Sequence, residues 1–210
     1  KPCYYIYRQI MDGRSQAGVV GCASIDDYLN NTIKKHELTV AKKEEDRVCH
    51  VDACNANTGP IFLTYRNREE ITSIMSEWMD NHDPEYDFTS EDDIRHTIWV
   101  IDDEMIIAIL ENAFDAVPAF YIADGHHRTA SAVRVGKMRR EEHPDYTGEE
   151  EFNFFLAVLF PDNQLSILDY NRVLKEWNGY TPETLLAKLA DKFQLEKSDH
   201  GRVRPDKTHT

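Results

Sequence analysis

Residues 120–133, FYIADGHHRTASAV, constrain the fold more than any other segment of this chain. Five mostly apolar residues form a strand-like run that ends at Asp124 and Gly125, and a segment with helical character follows at once. Asp-Gly is a strong turn signal between two regular elements. The pattern therefore predicts a strand, a tight turn, and a helix whose first turn carries two histidines and an arginine.

The rest of the chain alternates strand-like and helix-like segments without a regular rhythm. Residues 3–25 predict a β-hairpin around an Asp-Gly turn, and residues 24–36 predict a short helix that Ser24 or Asp26 caps and lysines end. Further strands are predicted at 61–66, 94–102, 119–124, 152–160 and 165–171. Further helices are predicted at 42–54, 67–82, 102–117, 127–143 and 181–193. This irregular order favours an α+β fold with a mixed sheet.

Composition narrows the classes of function. The 210 residues suffice for one well-packed domain with a small appendage, and they include 24 Lys+Arg against 38 Asp+Glu, a net charge of −14. Such a charge would repel a phosphate backbone, so general nucleic-acid binding is disfavoured. No window approaches the ~18 uncharged apolar residues of a membrane span. Four scattered cysteines favour a reducing compartment, and we expect a cytoplasmic protein.

The turn after Asp124 has the properties of a phosphate site. Free backbone N–H groups and the helix dipole favour an anion at a helix N-terminus. Arg128 adds a planar fork for phosphate oxygens, Thr129 adds a hydroxyl donor, and Gly125 would allow close approach of a ligand. The alternative is purely structural: the aspartate caps the helix and the arginine pairs with a surface carboxylate. The residues alone leave both alternatives open.

Two other segments carry candidate site residues. His36 and Glu37 follow an amphipathic segment, from which the carboxylate could point into a cleft, although a solvated charged stretch is the commoner reason for such a sequence. Asn57 and Thr58 could bind a ligand through hydrogen bonds or simply form a turn.

Metal sites are not expected from the spacing of donor residues. Cys49, His50 and Cys54 lack the paired C-x-x-C spacing of zinc sites, and the cysteine at 54 is expected on a buried helix face with Val48 and Val51. The neighbouring histidines at 126 and 127 should point in different directions from a helix. We therefore predict no metal held by the protein alone.

Three phrases of the sequence resemble a known family when they are taken together. They are GVVGCASIDDYLNNTIKKHE, KEEDRVCHVDACNANTGPIFLTY and YIADGHHRTASA. Over roughly residues 4–176 they resemble the bacterial and archaeal family called domain of unknown function ten-fifteen. The order of HE, EEDR, a proline-led strand and DGHHR also resembles the ParB/sulfiredoxin-like fold in its free-serine-kinase branch.

The resemblance implies roles for individual residues. In the serine-kinase branch the DGHHR-type turn holds nucleotide phosphates, and the glutamate of the HE pair is the catalytic base. Here these roles would fall to the turn Asp124, Gly125, His126, His127, Arg128, and to Glu37. Arg47 of the EDR motif would be an additional phosphate contact or a structural one. Apart from the resemblance, Thr129 is a candidate phosphate contact as a hydroxyl donor, and His36, Asn57 and Thr58 are possible additional site residues. The implied cofactors are ATP or ADP with Mg²⁺ that enters with the nucleotide.

The resemblance also implies a domain organisation. Residues 1–66 and 118–145 would form the nucleotide-binding core, residues 67–117 an insertion, and residues 146–210 the C-terminal strands and helix packed on that core, in a truncated chain. The serine-kinase resemblance implies a small hydroxyl compound as acceptor, with free L-serine as one candidate. The insertion could reshape the acceptor pocket and so change which compound is accepted.

Three hypotheses of function follow. The first is a nucleotide-dependent phosphotransferase; no Walker-type glycine loop is present, so a P-loop kinase is excluded. The second is a non-catalytic nucleotide-binding regulatory module of ParB-like type. The third is a phosphatase or other hydrolase that uses His126 or His127. The expected partners are a nucleotide and a small molecule, with neither nucleic acid nor membrane.

Overall fold

The computed structural model describes residues 2–37, 41–167 and 175–197. The chain divides into two compact units, Lys1–Leu165 and Ser166–Thr210. All the elements discussed below belong to the first unit, apart from the last helix.

The described residues form one eight-stranded sheet. Its strands are β1 (Tyr4–Met11), β2 (Arg14–Ser24), β3 (Ile33–Lys34), β4 (Ile61–Tyr65), β5 (Tyr86–Thr89), β6 (Arg95–Ile101), β7 (Phe120–Asp124) and β8 (Phe154–Pro161). Their order across the sheet is β3-β7-β4-β8-β2-β1-β6-β5. The pairs β3–β7 and β4–β8 are parallel and the other pairs are antiparallel. The prediction of an α+β fold with a mixed sheet is confirmed.

The helices lie between these strands and after them. They are α1 (Ile25–Leu29), α2 (Ala41–Cys54), α3 (Glu69–Asn81), α4 (Glu104–Asp115), α5 (His126–Glu142) and α6 (Pro182–Ala190). Within the described ranges, no helix combines the length and the apolar character that crossing a bilayer demands.

The first hairpin forms where the sequence predicts it. Strands β1 and β2 pair in register up to Met11 and Arg14. Asp12 and Gly13 between them have φ values of 51° and 75°. Positive φ at both central residues matches the twist of the flanking strands and is typical of tight hairpin turns. The Asp-Gly signal therefore identified this connection correctly.

The helix predicted over residues 24–36 is wrong in its second half. Ser24 caps α1, and its hydroxyl accepts a hydrogen bond from the backbone N–H of Asp26 at 3.1 Å. The helix ends at Leu29 because Asn31 takes up a left-handed conformation, with φ of 67°. Ile33 then enters the sheet in β3 and is only 1% exposed. The residues after β3 therefore lie at an edge of the sheet instead of on a helix.

Two strands differ from the predictions. Strand β5 is not among the predicted strands; it is only four residues long, and all four are exposed. Leu165, Ser166 and Ile167 do not form the beginning of the strand predicted over 165–171, and residues 168–171 lie outside the described residues. Residues 67–117, the predicted insertion, contribute α3, β5, β6 and α4, and β6 pairs with β1. The predicted domain boundaries stay a prediction.

The buried core consists of two clusters that share Phe120 and Leu159 at their margin. One cluster involves α3 and α4, and the other involves the start of α1 and the middle of α5. In β4, Ile61 and Leu63 belong to the second cluster and Tyr65 to the first. Alternate residues of a strand share a face, so both clusters pack on the same side of this strand. Helix α5 also contacts α2.

Candidate functional site

The parallel pairing of β3 and β7 brings the two main candidate segments together. Ile33 lies opposite Phe120 and Lys34 lies opposite Tyr121. Because parallel strands end at the same edge of a sheet, the chain that leaves β3 and the turn that leaves β7 emerge side by side. Glu37 is the third residue after β3, and Asp124 is the last residue of β7.

The end of β7 is irregular in a way that shapes the turn. Leu63 pairs with Ile122 and Phe62 pairs with Asp124, so Ala123 is an extra residue on β7 and forms a bulge. Bulges of this kind re-aim the side chains that follow them and occur often next to functional sites. Gly125 comes next with φ of 95°, a left-handed conformation that glycine adopts without strain, and α5 begins at once.

The N-terminus of α5 is open to an anion. No side chain caps it, and its first turn contains no acidic residue. The backbone N–H of Thr129 donates to the carbonyl of Gly125 at 2.9 Å, which makes it the first bonded amide of the helix. The N–H groups of the three preceding helical residues are the ones that a helix leaves without an intrahelical partner.

Arg128 lies against glycine backbone beside this turn. Its Nη2 donates to Asp124 Oδ2 at 2.7 Å, a pair in which the arginine side chain is 38% exposed. A Cβ atom added to Gly125 would lie 3.2 Å from Arg128 Nε, and one added to Gly59 would lie 3.4 Å from its Nη1. The guanidinium thus occupies space that side chains at these two positions would crowd.

A small cavity of about 30 Å³ joins several predicted residues to Arg128. Its lining includes Arg47, His50, Asn57 and Thr58. The structure therefore brings together two arginines that are 81 positions apart in the sequence, along with the amide and hydroxyl side chains that were given as additional contacts. A larger cavity of about 620 Å³ shares Val51 and Asn57 with the small one. It continues along α5 and β8 and is lined on one side by Phe152 and Phe154.

Thr129 does not belong to the accessible site. Its side chain is fully buried, and its hydroxyl donates to the carbonyl of Gly125 at 3.0 Å. Ser131 is likewise fully buried and donates to the carbonyl of His127 at 2.7 Å. Both hydroxyls are therefore engaged with their own helix.

His126 lies among charged and aromatic neighbours from both segments. Its side chain is 6% exposed, and its Nδ1 is 3.7 Å from Glu37 Oε2. The His36 ring meets the His126 ring edge to face, with 4.3 Å between the ring centroids. Burial, and next the nearby His36, lower the pKa of the His126 imidazole, while Glu37 and Asp124 act in the opposite direction. The balance favours the neutral ring.

Both histidines of the turn have an unsatisfied ring nitrogen. His126 Nε2 and His127 Nδ1 are buried and have no hydrogen-bond partner in the described part of the chain. Native proteins rarely leave buried polar atoms in this state without a functional reason or a bound species. Sequence reasoning named these residues, but it could not anticipate the contact with His36 and Glu37, since it placed the intervening chain in a helix.

The cysteine-containing face of α2 differs from its prediction. Val48 is buried, but Cys54 is exposed, because it is the last residue of α2 and the chain turns away at Asn55 with φ of 47°. Cys54 Sγ lies 3.9 Å from His50 Nε2, and Cys49 is exposed as well. Among the described residues, the donor side chains that converge in a group of three are His36, Glu37 and His126 instead.

The chain belongs to the family described as protein of unknown function (DUF1015), whose family model matches residues 1–210. The resemblance noted from the three sequence phrases is thereby confirmed at the level of the family. Comparison with curated proteins and with solved structures gives no match.

Proposed function

We propose that this member of the DUF1015 family binds a nucleotide at the turn of residues 124–128 and transfers its terminal phosphoryl group to a small hydroxyl compound. Free L-serine is the first acceptor to test, and ATP or ADP with Mg²⁺ is the proposed donor. We also propose that the fold is of the ParB/sulfiredoxin-like type. The observation that carries the proposal is the meeting of Glu37 with the first residue of α5, 3.7 Å from His126 Nδ1.

Phosphate binding is supported by the charges around the head of α5. The chain carries a net charge of −14, yet Arg47 and Arg128 line one small cavity next to an uncapped helix N-terminus. Two guanidinium groups and free amide donors at one place favour an anion with several oxygens. Arg128 also has donors besides the one that its bond to Asp124 uses.

The rest of a nucleotide has room next to these arginines. The adjoining cavity of about 620 Å³ falls within the range of roughly 300–1,000 Å³ that is usual for small-molecule sites. Aromatic side chains on one side and the amides of Asn55 and Asn57 on another could hold a base and a ribose. The two cavities share Val51 and Asn57, so a nucleoside in the larger cavity would lie beside phosphates at the smaller one.

Glu37 would act as the base. Its carboxylate is 63% exposed, so an acceptor hydroxyl can reach it. In the proposed step the hydroxyl oxygen forms a bond to the terminal phosphorus, and the bond from phosphorus to the bridging oxygen breaks. The hydroxyl proton passes to Glu37, and the bridging oxygen leaves with the shortened nucleotide. Mg²⁺ bound to the phosphates would neutralise their charge, and Asp124, which is 75% exposed at the same turn, is a suitable oxygen ligand for it.

The hydrolase hypothesis has less support. A histidine that acts on a substrate must reach it directly or through one water. His126 is 6% exposed, which leaves little of its ring accessible to a substrate, and the Nδ1 of His127, the other histidine of this hypothesis, is also buried. Most of the Glu37 side chain, in contrast, is exposed, so a substrate can reach its carboxylate.

The proposal is tested by a ligand screen followed by product analysis. Thermal unfolding is measured with ADP, ATP and CTP, with and without Mg²⁺ and L-serine, because a ligand that binds only the folded state raises the melting temperature. Phosphorus NMR of the same mixtures then looks for a phosphorylated acceptor. Stabilisation without any product would favour the regulatory module. Absence of stabilisation by all three nucleotides would contradict phosphate binding at this turn.

A further inference from the structure

We propose that His36, Glu37 and His126 form a binding site for a divalent first-row transition-metal cation, for which Zn²⁺ is the probe. Each residue offers one ligand atom, and these atoms all lie within 4.8 Å of one another. Two of them belong to consecutive residues after β3, and the third belongs to the first residue of α5.

The distances between the donor atoms are near those between ligands of one metal ion. Zinc binds imidazole nitrogen at about 2.0–2.1 Å and carboxylate oxygen at about 2.0–2.2 Å, so two ligands of a tetrahedral ion are about 3.4 Å apart. The separation of His126 Nδ1 from Glu37 Oε2 is 3.7 Å. Because His36 and Glu37 are exposed, their side chains have room to turn toward a common ion.

The state of His126 independently indicates a missing partner. Its side chain is more than nine-tenths buried, and its Nδ1 faces Glu37 Oε2 at 3.7 Å, beyond hydrogen-bond distance. A polar atom buried without a close partner is costly unless another interaction compensates for it. The edge-to-face arrangement with His36 brings a second imidazole to the same point. A cation shared by the two rings and the carboxylate would supply the missing interaction.

The donor set selects the class of metal. Two imidazoles and one carboxylate suit zinc, iron and related cations, and they are also the protein ligands of many catalytic sites that keep a position open. Mg²⁺ prefers oxygen ligands and retains its waters, so it is a poor match. His36 and Glu37 are exposed, which leaves one side of the site open to water or to a ligand oxygen. This cation is therefore distinct from the Mg²⁺ that would accompany a nucleotide.

Metal binding at this site is independent of phosphoryl transfer. It depends only on the positions of three donor atoms, and it can be measured without a nucleotide. If both proposals hold, a Glu37 oxygen that binds the metal is unavailable as a proton acceptor, so Zn²⁺ should inhibit the transfer that Glu37 assists.

The test is a titration of the chelator-treated full chain with Zn²⁺, followed by calorimetry, and with Co²⁺, followed by visible absorption. We expect one Zn²⁺ per chain, which a large excess of Mg²⁺ does not displace. Loss of groups that merely support metal ligands already costs about 10–100-fold in affinity. We therefore expect His36→Ala and Glu37→Gln each to weaken Zn²⁺ binding by at least about tenfold.

The matched control is His143→Ala, which removes an exposed histidine at the other end of α5. It should bind Zn²⁺ as the parent does. All the varied side chains are exposed, so folded variants are expected, and circular dichroism verifies this. Zn²⁺ affinity that is the same in His36→Ala, Glu37→Gln and the parent would overturn the proposal, as would the absence of stoichiometric binding. A failure of the phosphotransfer assay would leave this measurement unaffected.

Discussion

At the scale of single residues, Glu37 separates catalysis from binding. Glu37→Gln keeps the shape of the side chain but removes the proton acceptor. If the proposed step occurs, nucleotide affinity should persist while turnover falls by roughly 10²–10⁴, the usual contribution of a general base. Calorimetry gives the affinity, and phosphorus NMR gives the rate. The control is Glu141→Gln, which neutralises an exposed carboxylate near the opposite end of α5. Equal turnover in Glu37→Gln and the parent would show that Glu37 is not the catalytic base.

Arg128 tests the phosphate site itself. Arg128→Ala deletes the guanidinium that lies beside Gly59 and Gly125. Nucleotide affinity should fall by about 1–3 kcal/mol, the scale of a charge-assisted hydrogen bond. Arg134→Ala is the control, because Arg134 lies on the same helix and pairs at the surface with Glu45 at 2.7 Å. Both variants are titrated calorimetrically with the nucleotide that stabilises the parent most. Similar nucleotide affinity in Arg128→Ala and Arg134→Ala would contradict the role of Arg128 in phosphate binding.

The sequence indicates candidate site residues but not their accessibility. Residue types point to the turn at 124–128 and to Asn57 and Thr58, and the family resemblance implies roles for Glu37 and Arg47. Thr129 was named too, because a hydroxyl near a helix N-terminus suits phosphate, but its hydroxyl instead bonds the carbonyl of Gly125. Whether a hydroxyl points outward or back to its own helix depends on packing, since Thr129 is fully buried. Residue type carries no information about that choice.

At the scale of elements, the turn from β7 to α5 depends on Gly125. Gly125→Ala places a Cβ on a residue with φ of 95° and 3.2 Å from Arg128 Nε. The left-handed conformation costs about 1–2 kcal/mol for other residues, so unfolding in urea should show a loss of this size. The crowded guanidinium should also shift, and nucleotide affinity should therefore decrease.

Gly148→Ala separates the loss of stability caused by the left-handed backbone from the loss of nucleotide affinity caused by crowding of Arg128. Gly148 has φ of 106°, but an added Cβ would meet nothing within 4 Å. This variant should lose similar stability and keep its nucleotide affinity. If both variants bind nucleotide as the parent does, the close contact of Gly125 with Arg128 is not needed for binding.

The element that sequence reasoning misjudged is the one that builds the site. Helical spacing continues past Asn30, so residues 24–36 resemble one helix. Asn31 breaks it through a left-handed conformation, and Ile33 gains burial by pairing beside β7 instead. That pairing joins Ile33 to Phe120, which are 87 positions apart in the sequence. Local periodicity cannot report a two-residue strand whose stability comes from a distant partner, and so the contact of His36 with His126 stayed hidden.

At the scale of the whole molecule, the strand order follows from pairings that no local pattern encodes. Strand β8 is the last strand along the described residues, yet it lies between β4 and β2 in the middle of the sheet. The apolar residues of β8 indicate from the sequence alone that both faces of this strand are buried. Which strands lie on either side of β8 depends instead on the packing of the whole core. The hairpin of β1 and β2 was predictable because its turn is local. The class of the fold was thus accessible from the sequence, and its topology was not.

Long-range ion pairs should also govern the acid stability of the first unit. Asp26 of α1 accepts two hydrogen bonds from Arg140 of α5, at 2.7 and 2.8 Å, and this partner lowers the pKa of its carboxyl. The backbone N–H of Asn67 and the guanidinium of Arg66 likewise lower the pKa of Asp162. A carboxyl whose pKa is lower in the folded state than its unfolded value of about 3.9 is protonated more readily after unfolding. The stabilisation is therefore present above about pH 4 and is lost as the pH falls through the folded pKa.

Asp26→Asn tests this account of acid stability. Residue 26 of the variant cannot ionise, so the variant should be less stable than the parent at pH 7. It should lose less of its stability as the pH falls below about 4, where the parent loses the linked contribution. Melting temperatures of the two proteins should therefore converge as the pH falls. Asp83→Asn, which changes an exposed carboxylate after α3, should instead follow the parent at every pH. Parallel curves of melting temperature against pH for Asp26→Asn and the parent would show that the bond between α1 and α5 contributes no stability that depends on the ionisation of Asp26.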